Sequence, residues 1–316
     1  MNLPTVQPVL AELPAWLVAT WPIGLGVLGC FAALVAIYAL LSTFLPKVAP
    51  IALTTAKAGV AHPLFWVEMG FGAVVLILFF PFIPYFTLGE DIKMLKDSGL
   101  TLMLVLAVLF AVLSASATIA DEIEGRTAVT LLSKPVRRWQ FILGKFLGIL
   151  VPVAAMFIVL GGIFLATVSY KASDDARETA ATQPTAAQCQ AEMKQVVPGI
   201  VLAFLETVVL AAISVAISTR LPMLANLLIC STIYVLGHLM PAVVNSAVGQ
   251  YPLVRFMGKF LATLLPNLDD FNIQAGIAAG STVPLDYLGW ATLYCALYTT
   301  AALVLALLLF EDRDLA

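Results

Sequence analysis

The sequence predicts an all-α fold, a polytopic bundle of transmembrane helices. Of its 316 residues, 61% are hydrophobic and 11% are charged, and the mean hydropathy is +1.01, whereas soluble domains contain roughly 45–50% apolar residues. The apolar residues form runs of about 20, the length at which a helix crosses a hydrocarbon layer of roughly 30 Å. Backbone groups in lipid must be bonded within the protein, and a barrel would need short alternating strands instead. A helical bundle follows.

Seven apolar runs are predicted to span the membrane. They cover Trp21–Leu45, Phe65–Phe86, Leu100–Ile119, Phe146–Val168, Val197–Ser218, Pro222–Val244 and Tyr287–Phe310. The "STRLP" turn between the fifth and sixth runs is so short that these two helices are expected to form an antiparallel hairpin.

The segments between the runs differ in character. Residues 46–64 are predicted to form an interfacial elbow helix that ends where His62-Pro63 turns the chain. Residues 169–196 are rich in Ala, Thr, Gln and Asp, a composition typical of a solvated loop, and Asp174, Asp175 and Glu178 are expected to be a solvated charge run. Residues 248–285 are predicted to be an outer interfacial and re-entrant region.

The distribution of Lys and Arg sets the expected orientation. With the N-terminus outside, nine of the 16 basic residues fall in inner loops and seven in outer ones. Five of the nine lie between residues 126 and 145, directly against membrane-spanning ends, which favours a cytoplasmic position for residues 120–145. Residues 1–20 are then extracytoplasmic, and residues 311–316 form a cytoplasmic tail.

The charged segment "ADEIEGRTAVTLLSKPVRRWQFILGKFLG", residues 120–148, stands out in so apolar a chain. Pro135 disfavours helical geometry at the residue before it and suits the first turn of a new helix, so a helix–break–helix is expected. A short amphipathic helix held at the membrane surface suits docking into a groove of another protein. The alternative is a basic collar that only fixes topology. Such a collar needs neither the acids Glu122 and Glu124 nor the apolar pair Leu131-Leu132.

The segment closely resembles the cytoplasmic-loop motif of ABC type-2 transporter permeases, which reads roughly DEIE-G-T…LLS-KP-SR-QF-LGK-LG. The matching residues are Glu122, Glu124, Gly125, Arg126, Thr127, Leu131, Leu132, Ser133, Lys134, Pro135, Arg138, Phe141, Gly144 and Lys145. The similarity extends over about residues 49 to 310, with "FLETVVLAAISVAIST" and "LPNLDDFNI" as further matches. It implies a six-helix permease core within residues 65–310, to which the helix at 21–45 is an addition.

The resemblance implies that this loop is a coupling helix, which transmits the closure of a separate ATP-binding subunit to the membrane helices. The residues expected to contact that subunit are Glu122, Glu124, Gly125, Arg126, Thr127, Leu131, Leu132, Ser133, Lys134, Pro135, Arg137 and Arg138. Further expectations are export of a substrate, a second permease copy or a similar permease as partner, and the inner membrane of a prokaryote. A net charge of −3 gives no indication of a nucleic-acid partner.

The chain is not expected to be an enzyme or to bind a cofactor or metal. A phosphate-binding loop of the G-x-x-x-x-G-K-[ST] type is absent, because Phe follows both Gly144-Lys145 and Gly258-Lys259. ATP and Mg²⁺ are therefore expected on the partner subunit.

Three polar residues inside the apolar runs are candidates for the pathway or for helix packing: Glu206, His238 and Asn226. A carboxyl at mid-bilayer costs at least about 2.5 kcal/mol on insertion scales, so Glu206 is expected to face protein or water. Its two readings are a pathway residue and a carboxyl hydrogen-bonded to a neighbouring helix. Glu68 is expected to be an interface anchor that reaches water.

Two other functions compete with the permease. One is a membrane scaffold or sensor of an ABC-type complex that moves no cargo. The other is an intramembrane enzyme, which would need converging catalytic groups, whereas the predicted spans hold one His, two Glu and no paired Asp.

Overall fold

The computed structural model describes residues 14–79, 91–120, 137–178, 184–245, 256, 258, 260, 265–278 and 280–311. Regular structure within these ranges is helical, and they contain no strand. The helices are α1 (Ala15–Ala19), α2 (Trp21–Phe44), α3 (Val48–Ala61), α4 (Pro63–Val74), α5 (Asp91–Ala115), α6 (Arg138–Glu178), α7 (Ala186–Ser218), α8 (Met223–Asn245), α9 (Gln274–Ala278) and α10 (Leu285–Glu311). π-helical turns extend α4 over Val75–Phe79 and α5 over Ser116–Ala120.

The polytopic helical bundle is confirmed. Five stretches are helical, long and apolar enough to cross a membrane: Ala15–Phe44, Asp91–Ile119, Arg138–Arg177, Ala186–Ser218 and Leu285–Phe310. The pair α3 and α4, bent by 59°, is a sixth if it forms one span. The sixth predicted run corresponds to α8, whose apolar stretch Met223–Leu239 is shorter. The described residues thus support five or six of the seven predicted spans.

The bend between α3 and α4 follows from His62-Pro63. His62 is extended, with ψ of 134°, and its Nδ1 accepts a hydrogen bond of 3.2 Å from the Leu64 N–H. Pro63 occupies the first turn of α4, where its missing N–H costs nothing. One helix therefore ends and the next begins within two residues.

One face of α3 packs along the first half of α6, in an arrangement we call the glycine seam (Gly144, Gly148 and Pro152 of α6 against α3). These three residues are spaced by four and share one helix face. A Cβ added at Gly148 would lie 2.5 Å from Thr55 Cβ and 2.7 Å from the Ala52 carbonyl oxygen. The two backbones therefore approach as closely as glycine allows, which is typical of packing between membrane helices. The interfacial position predicted for this helix stays a prediction.

The centre of the bundle consists of α5, α6 and α7, whose facing side chains are buried. Gly99 of α5 lies against the ring of Phe164 of α6, where an added Cβ would lie 2.2 Å from the ring. By contrast, α2 has no buried residue and packs at the edge of the bundle, with Val27 and Ile23 near Gly162 of α6.

The expectation of a solvated loop over residues 169–196 is wrong over most of that range. α6 continues to Glu178 and α7 starts at Ala186. A capping box stabilises the start of α7, since Thr185 and Gln188 bond each other's backbone N–H. With 41 residues, α6 is about 60 Å long, roughly twice the hydrocarbon thickness.

A buried ion cluster joins the start of α5 to the last turns of α6, at the end of the bundle that is the outer one in the predicted orientation. The opposite end, at Ala120 and Arg138, is called the inner end in the same sense. Lys171 Nζ lies 3.5 Å from Asp91, 3.3 Å from Asp174 and 3.1 Å from Asp175. Asp175 also accepts a hydrogen bond of 3.2 Å from the Ile92 N–H at the start of α5. Asp174 and Asp175 are therefore ion-pair partners of a buried lysine, contrary to the solvated charge run that was expected, whereas the side chain of its third member, Glu178, lies outside the described residues.

The segment α1 completes this outer end. The Trp16 ring packs edge-on against Tyr170, with centroids 5.4 Å apart, and Ser169 Oγ donates to the Trp16 carbonyl. Ala19 is buried with Cys189 and Met193 of α7. Residues just before α2 are thus packed onto the projecting ends of α6 and α7.

Gly148→Ala is expected to lower the free energy of unfolding by about 1–3 kcal/mol, because the new methyl group overpacks the glycine seam. The matched control is Gly161→Ala on the same helix, where an added Cβ meets its nearest side chains at 3.6 Å, an ordinary contact. Thermal unfolding in detergent measures both. Equal melting temperatures for the two variants would show that the seam is not close-packed.

Lys171→Met is expected to cost about 3–5 kcal/mol, because it leaves three carboxylates together without their buried counter-charge. Lys194→Met is the control, since Lys194 is exposed on the outer part of α7. The same unfolding measurement distinguishes them. A decrease in the free energy of unfolding as small as that of the control would mean that the carboxylates do not depend on Lys171 for their stability.

Candidate functional site

Ten of the twelve predicted coupling residues lie outside the described residues. They are Glu122, Glu124, Gly125, Arg126, Thr127, Leu131, Leu132, Ser133, Lys134 and Pro135, all within residues 121–136. Their contact with another subunit stays a prediction. The structure does describe the helix that enters this segment, α5 with its π-helical turn to Ala120, and the helix that leaves it, α6 from Arg138.

The first residues of α6 are anchored to the end of α10. The Arg137 N–H donates to Gln140 Oε1 at 3.0 Å, which satisfies a free donor at the helix start. Arg138 Nη1 donates to the Phe310 carbonyl at 3.4 Å, and its guanidinium lies 5.8 Å from the centroid of the Phe310 ring. Phe141, one turn further, stacks on the same ring. Arg138, predicted to face another subunit, thus also has contacts within the chain.

A second arginine reaches the same helix end from the turn between α7 and α8. Arg220 Nε donates to the Leu309 carbonyl at 2.7 Å. The last carbonyls of a helix have no partner within it and carry its negative partial charge, so arginines there both cap and stabilise it. We call Arg138 and Arg220 with the end of α10 the arginine clasp. Sequence reasoning missed Arg220, although its position in "STRLP" at a hairpin turn was a signal.

Asn226 is fully buried and joins three helices. Its Nδ2 lies 2.7 Å from Ser116 Oγ, 2.8 Å from Ser214 Oγ and 2.9 Å from Ser218 Oγ. Its Oδ1 accepts a hydrogen bond from the Cys230 thiol. Ser116 lies at the end of α5, the two other serines on α7, and Asn226 itself on α8. The predicted packing residue is therefore the centre of a polar network at the inner ends of these helices.

Glu206 faces His238 across the α7–α8 hairpin. Glu206 Oε1 lies 3.4 Å from His238 Nε2, and the Glu206 side chain is 1% exposed. The other ring nitrogen, His238 Nδ1, lies 3.0 Å from the Tyr234 carbonyl one turn earlier, and the two rings are 4.7 Å apart. Within the described ranges Glu206 Oε1 has no hydrogen-bond partner, so this acid and this base are neighbours without a hydrogen bond between them.

The structure does not bring the three polar candidates into one site. Ser218, which contacts Asn226, is 12 residues from Glu206 on α7, a rise of about 18 Å. Asn226 therefore belongs to the inner end of the bundle, whereas Glu206 and His238 form a separate pair further along.

The expectation that Glu68 reaches water is wrong. Glu68 is 4% exposed, and within the described ranges neither carboxyl oxygen has a hydrogen-bond partner. Its face of α4 is turned inward, because Phe65 packs on Phe110 one turn before it and Gly72 lies against Leu106 and Leu160 one turn after it. Position near a helix start had suggested exposure, but the bend at His62-Pro63 turns that face toward α5.

The segment before α10 packs against α8. An added Cβ at Gly237 would lie 2.7 Å from Leu268 and 3.1 Å from the Pro266 carbonyl oxygen. The Asn267 N–H donates to the Tyr294 hydroxyl at 2.8 Å, and Tyr287 donates to the Asp270 carbonyl at 2.5 Å.

In the part of the chain that is described, no group of three or more His, Cys, Asp or Glu side chains has metal-binding geometry.

Comparison with known proteins fits this architecture. The model of the family described as "ABC-2 family transporter protein" matches residues 54–315. The match begins within α3 and includes α4 to α10, so α2 precedes it. No curated protein matches the chain at a significant level. Because the family model covers most of its length, the chain belongs to the ABC-2 family of transporter proteins, as a membrane permease component of an ABC transporter.

Proposed function

We propose that this permease couples ATP hydrolysis on a separate subunit to substrate export, and that residues 120–145 form its coupling loop. The observation that carries the proposal is the family match over residues 54–315 together with the loop motif that begins at Glu122. Family members of this kind work with an ATP-binding subunit, and this chain has no phosphate-binding loop of its own. ATP and Mg²⁺ are then held by that subunit.

The anchoring of the loop supports this proposal. Movement of a loop can reach other helices through hydrogen bonds and packed side chains that connect the ends of the loop to them. On the entry side, Ser116 of α5 is bonded to Asn226 of α8, and on the exit side Arg138 of α6 is bonded to the end of α10. A displacement of the loop would therefore reach α8 and α10 directly, neither of which is connected to the loop by sequence.

The proposal extends to assembly and location. One bundle would line half of a pathway, so a second copy or a similar permease completes it. Residues 120–145 face the cytoplasm in the inner membrane of a prokaryote, where the ATP-binding subunit is found. A scaffold without cargo would share these contacts, and it differs in that no substrate would stimulate ATP hydrolysis by the complex.

Glu124→Arg combined with Leu132→Asp is expected to abolish co-purification of the ATP-binding subunit, because it reverses a charge and adds another at an apolar docking position. The control is Ala187→Arg with Ala191→Asp, which introduces the same two residues at exposed positions on the outer part of α7. Quantitative pull-down from membranes measures retention. A complex that survives the loop changes as well as the control changes would refute the coupling assignment.

A cysteine at Arg137 is expected to react with a membrane-impermeant maleimide only from the cytoplasmic side, because the loop is proposed to lie there. A cysteine at Lys194, exposed at the opposite end of the bundle, should react only from the outside. Both are made in a Cys30→Ser background, since Cys30 is exposed. Labelling of intact and inverted vesicles gives the answer, and reaction of Arg137→Cys from outside would reverse the orientation.

A further inference from the structure

The Asn226 network contains one more acceptor than its amide can serve. The side-chain amide carries two hydrogens, yet three serine oxygens lie within 2.9 Å of Nδ2. Asn226 and the three serines are all fully buried. At any moment, at most two of the three serines can receive an unshared hydrogen bond from the amide, which leaves the amide a choice of acceptors.

The three acceptors are not equivalent in their position. Ser214 and Ser218 lie on α7, which a short turn joins to α8, so they belong to the same hairpin as Asn226. Ser116 lies on α5, at the first residue of the π-helical turn that ends at Ala120. The proposed coupling loop begins at Ala120, the last residue of this turn. The Ser116 contact is thus the one that connects the hairpin to the helix carrying the loop.

We propose that Asn226 is a switchable joint between α5 and the α7–α8 hairpin, engaged through Ser116 and released onto Ser214 and Ser218. This proposal rests on the proposed function, since it names a route by which the coupling loop moves the hairpin. The engaged state has the amide bonded to Ser116 and one hairpin serine. The released state has it bonded to both hairpin serines, with the same number of hydrogen bonds.

Release leaves no buried polar group without a partner, which is the usual obstacle to motion in a membrane protein core. The Ser116 hydroxyl keeps its bond of 3.1 Å to the Val112 carbonyl in its own helix. Asn226 Oδ1 keeps the Cys230 thiol, which is on α8 as well. The two states therefore differ in geometry but balance in hydrogen bonds, as a two-state element requires.

The joint predicts opposite effects for two substitutions that each remove one buried hydroxyl. Ser116→Ala takes away the α5 acceptor, so the amide turns to the hairpin and α5 is released. Ser218→Ala leaves the two amide hydrogens with two serine acceptors, Ser116 and Ser214. Both are then used, so the engaged state is favoured. A network that merely adds stability would respond in the same direction to both changes.

The test measures the distance between α5 and α8 by spin labels at Val105→Cys and Leu228→Cys, positions that are 46% and 69% exposed. The background is Cys30→Ser, and the protein is the full chain in complex with its ATP-binding subunit, with and without Mg-ATP and vanadate. Wild type is expected to show two distances whose proportions change with nucleotide. Ser116→Ala should lose the engaged distance in both conditions, whereas Ser218→Ala should retain and enrich it.

Elution as an intact complex and the melting temperature show whether both serine variants are folded. If they are and the two variants shift the distances in the same direction, or not at all, the joint is refuted while the proposed function stands. If the distances in the wild-type complex do not change with nucleotide, the result counts against the proposed function. In that case the two serine variants still test the joint: shifts in opposite directions support it, and shifts in the same direction refute it.

Discussion

The absence of water from the bilayer interior is the constraint on which this structure depends. A polar side chain buried there is costly unless another part of the protein offers a partner, because lipid offers none. Asn226 is bonded to three serines, and the Glu206 carboxyl lies 3.4 Å from His238. In each case the partner comes from another helix, so the need for a partner fixes which helices are neighbours. Polar residues therefore determine the arrangement that non-directional apolar packing leaves open.

The cost of burying a polar or charged side chain decreases with distance from the membrane centre. At the outer end of the bundle, α5 and α6 extend beyond the hydrocarbon layer and are joined by Lys171 and its aspartates. At the inner end, the arginine clasp uses guanidinium groups to satisfy the free carbonyls of α10. Charged groups thus lie at both ends of the bundle, with the Asn226 network beside the arginine clasp at the inner end. Full charges are cheaper near the ends of the helices than at mid-bilayer, which fits their placement there.

The sequence was sufficient to predict the helical bundle, since runs of about 20 apolar residues have few other solutions. Hydropathy did not predict the helical turns outside the membrane, because it measures affinity for lipid. It takes no account of local hydrogen bonds such as the capping box of Thr185 and Gln188. The polar composition of residues 169–196 thus indicated a loop although most of it is helix.

The sequence predicted the surroundings of some candidate residues and not of others. Asn226 was recognisable because an amide in an apolar run needs a partner, but the partner Ser116 was not, since serine can satisfy its own hydroxyl within a helix. Glu68 was misplaced because exposure was inferred from depth along the helix, whereas the direction of its face depends on the bend at His62-Pro63. Depth can be read from a sequence, but the rotation of a helix about its axis is set by its neighbours.

Neighbouring helices also determine how straight α6 is, the helix that follows the proposed coupling loop. Arg138 and Lys171 are 33 residues apart on this helix, about 50 Å, so one rod reaches from the arginine clasp to the outer ion cluster. Pro152 interrupts its hydrogen-bond ladder, because proline cannot donate to the carbonyl four residues earlier, that of Gly148. Gly148 also makes the closest approach to α3 among the seam glycines, and Gly59 of α3 lies against Pro152 itself. The part of α6 with the missing hydrogen bond is therefore the part against which α3 packs, so α3 stiffens the half of α6 that follows the proposed coupling loop.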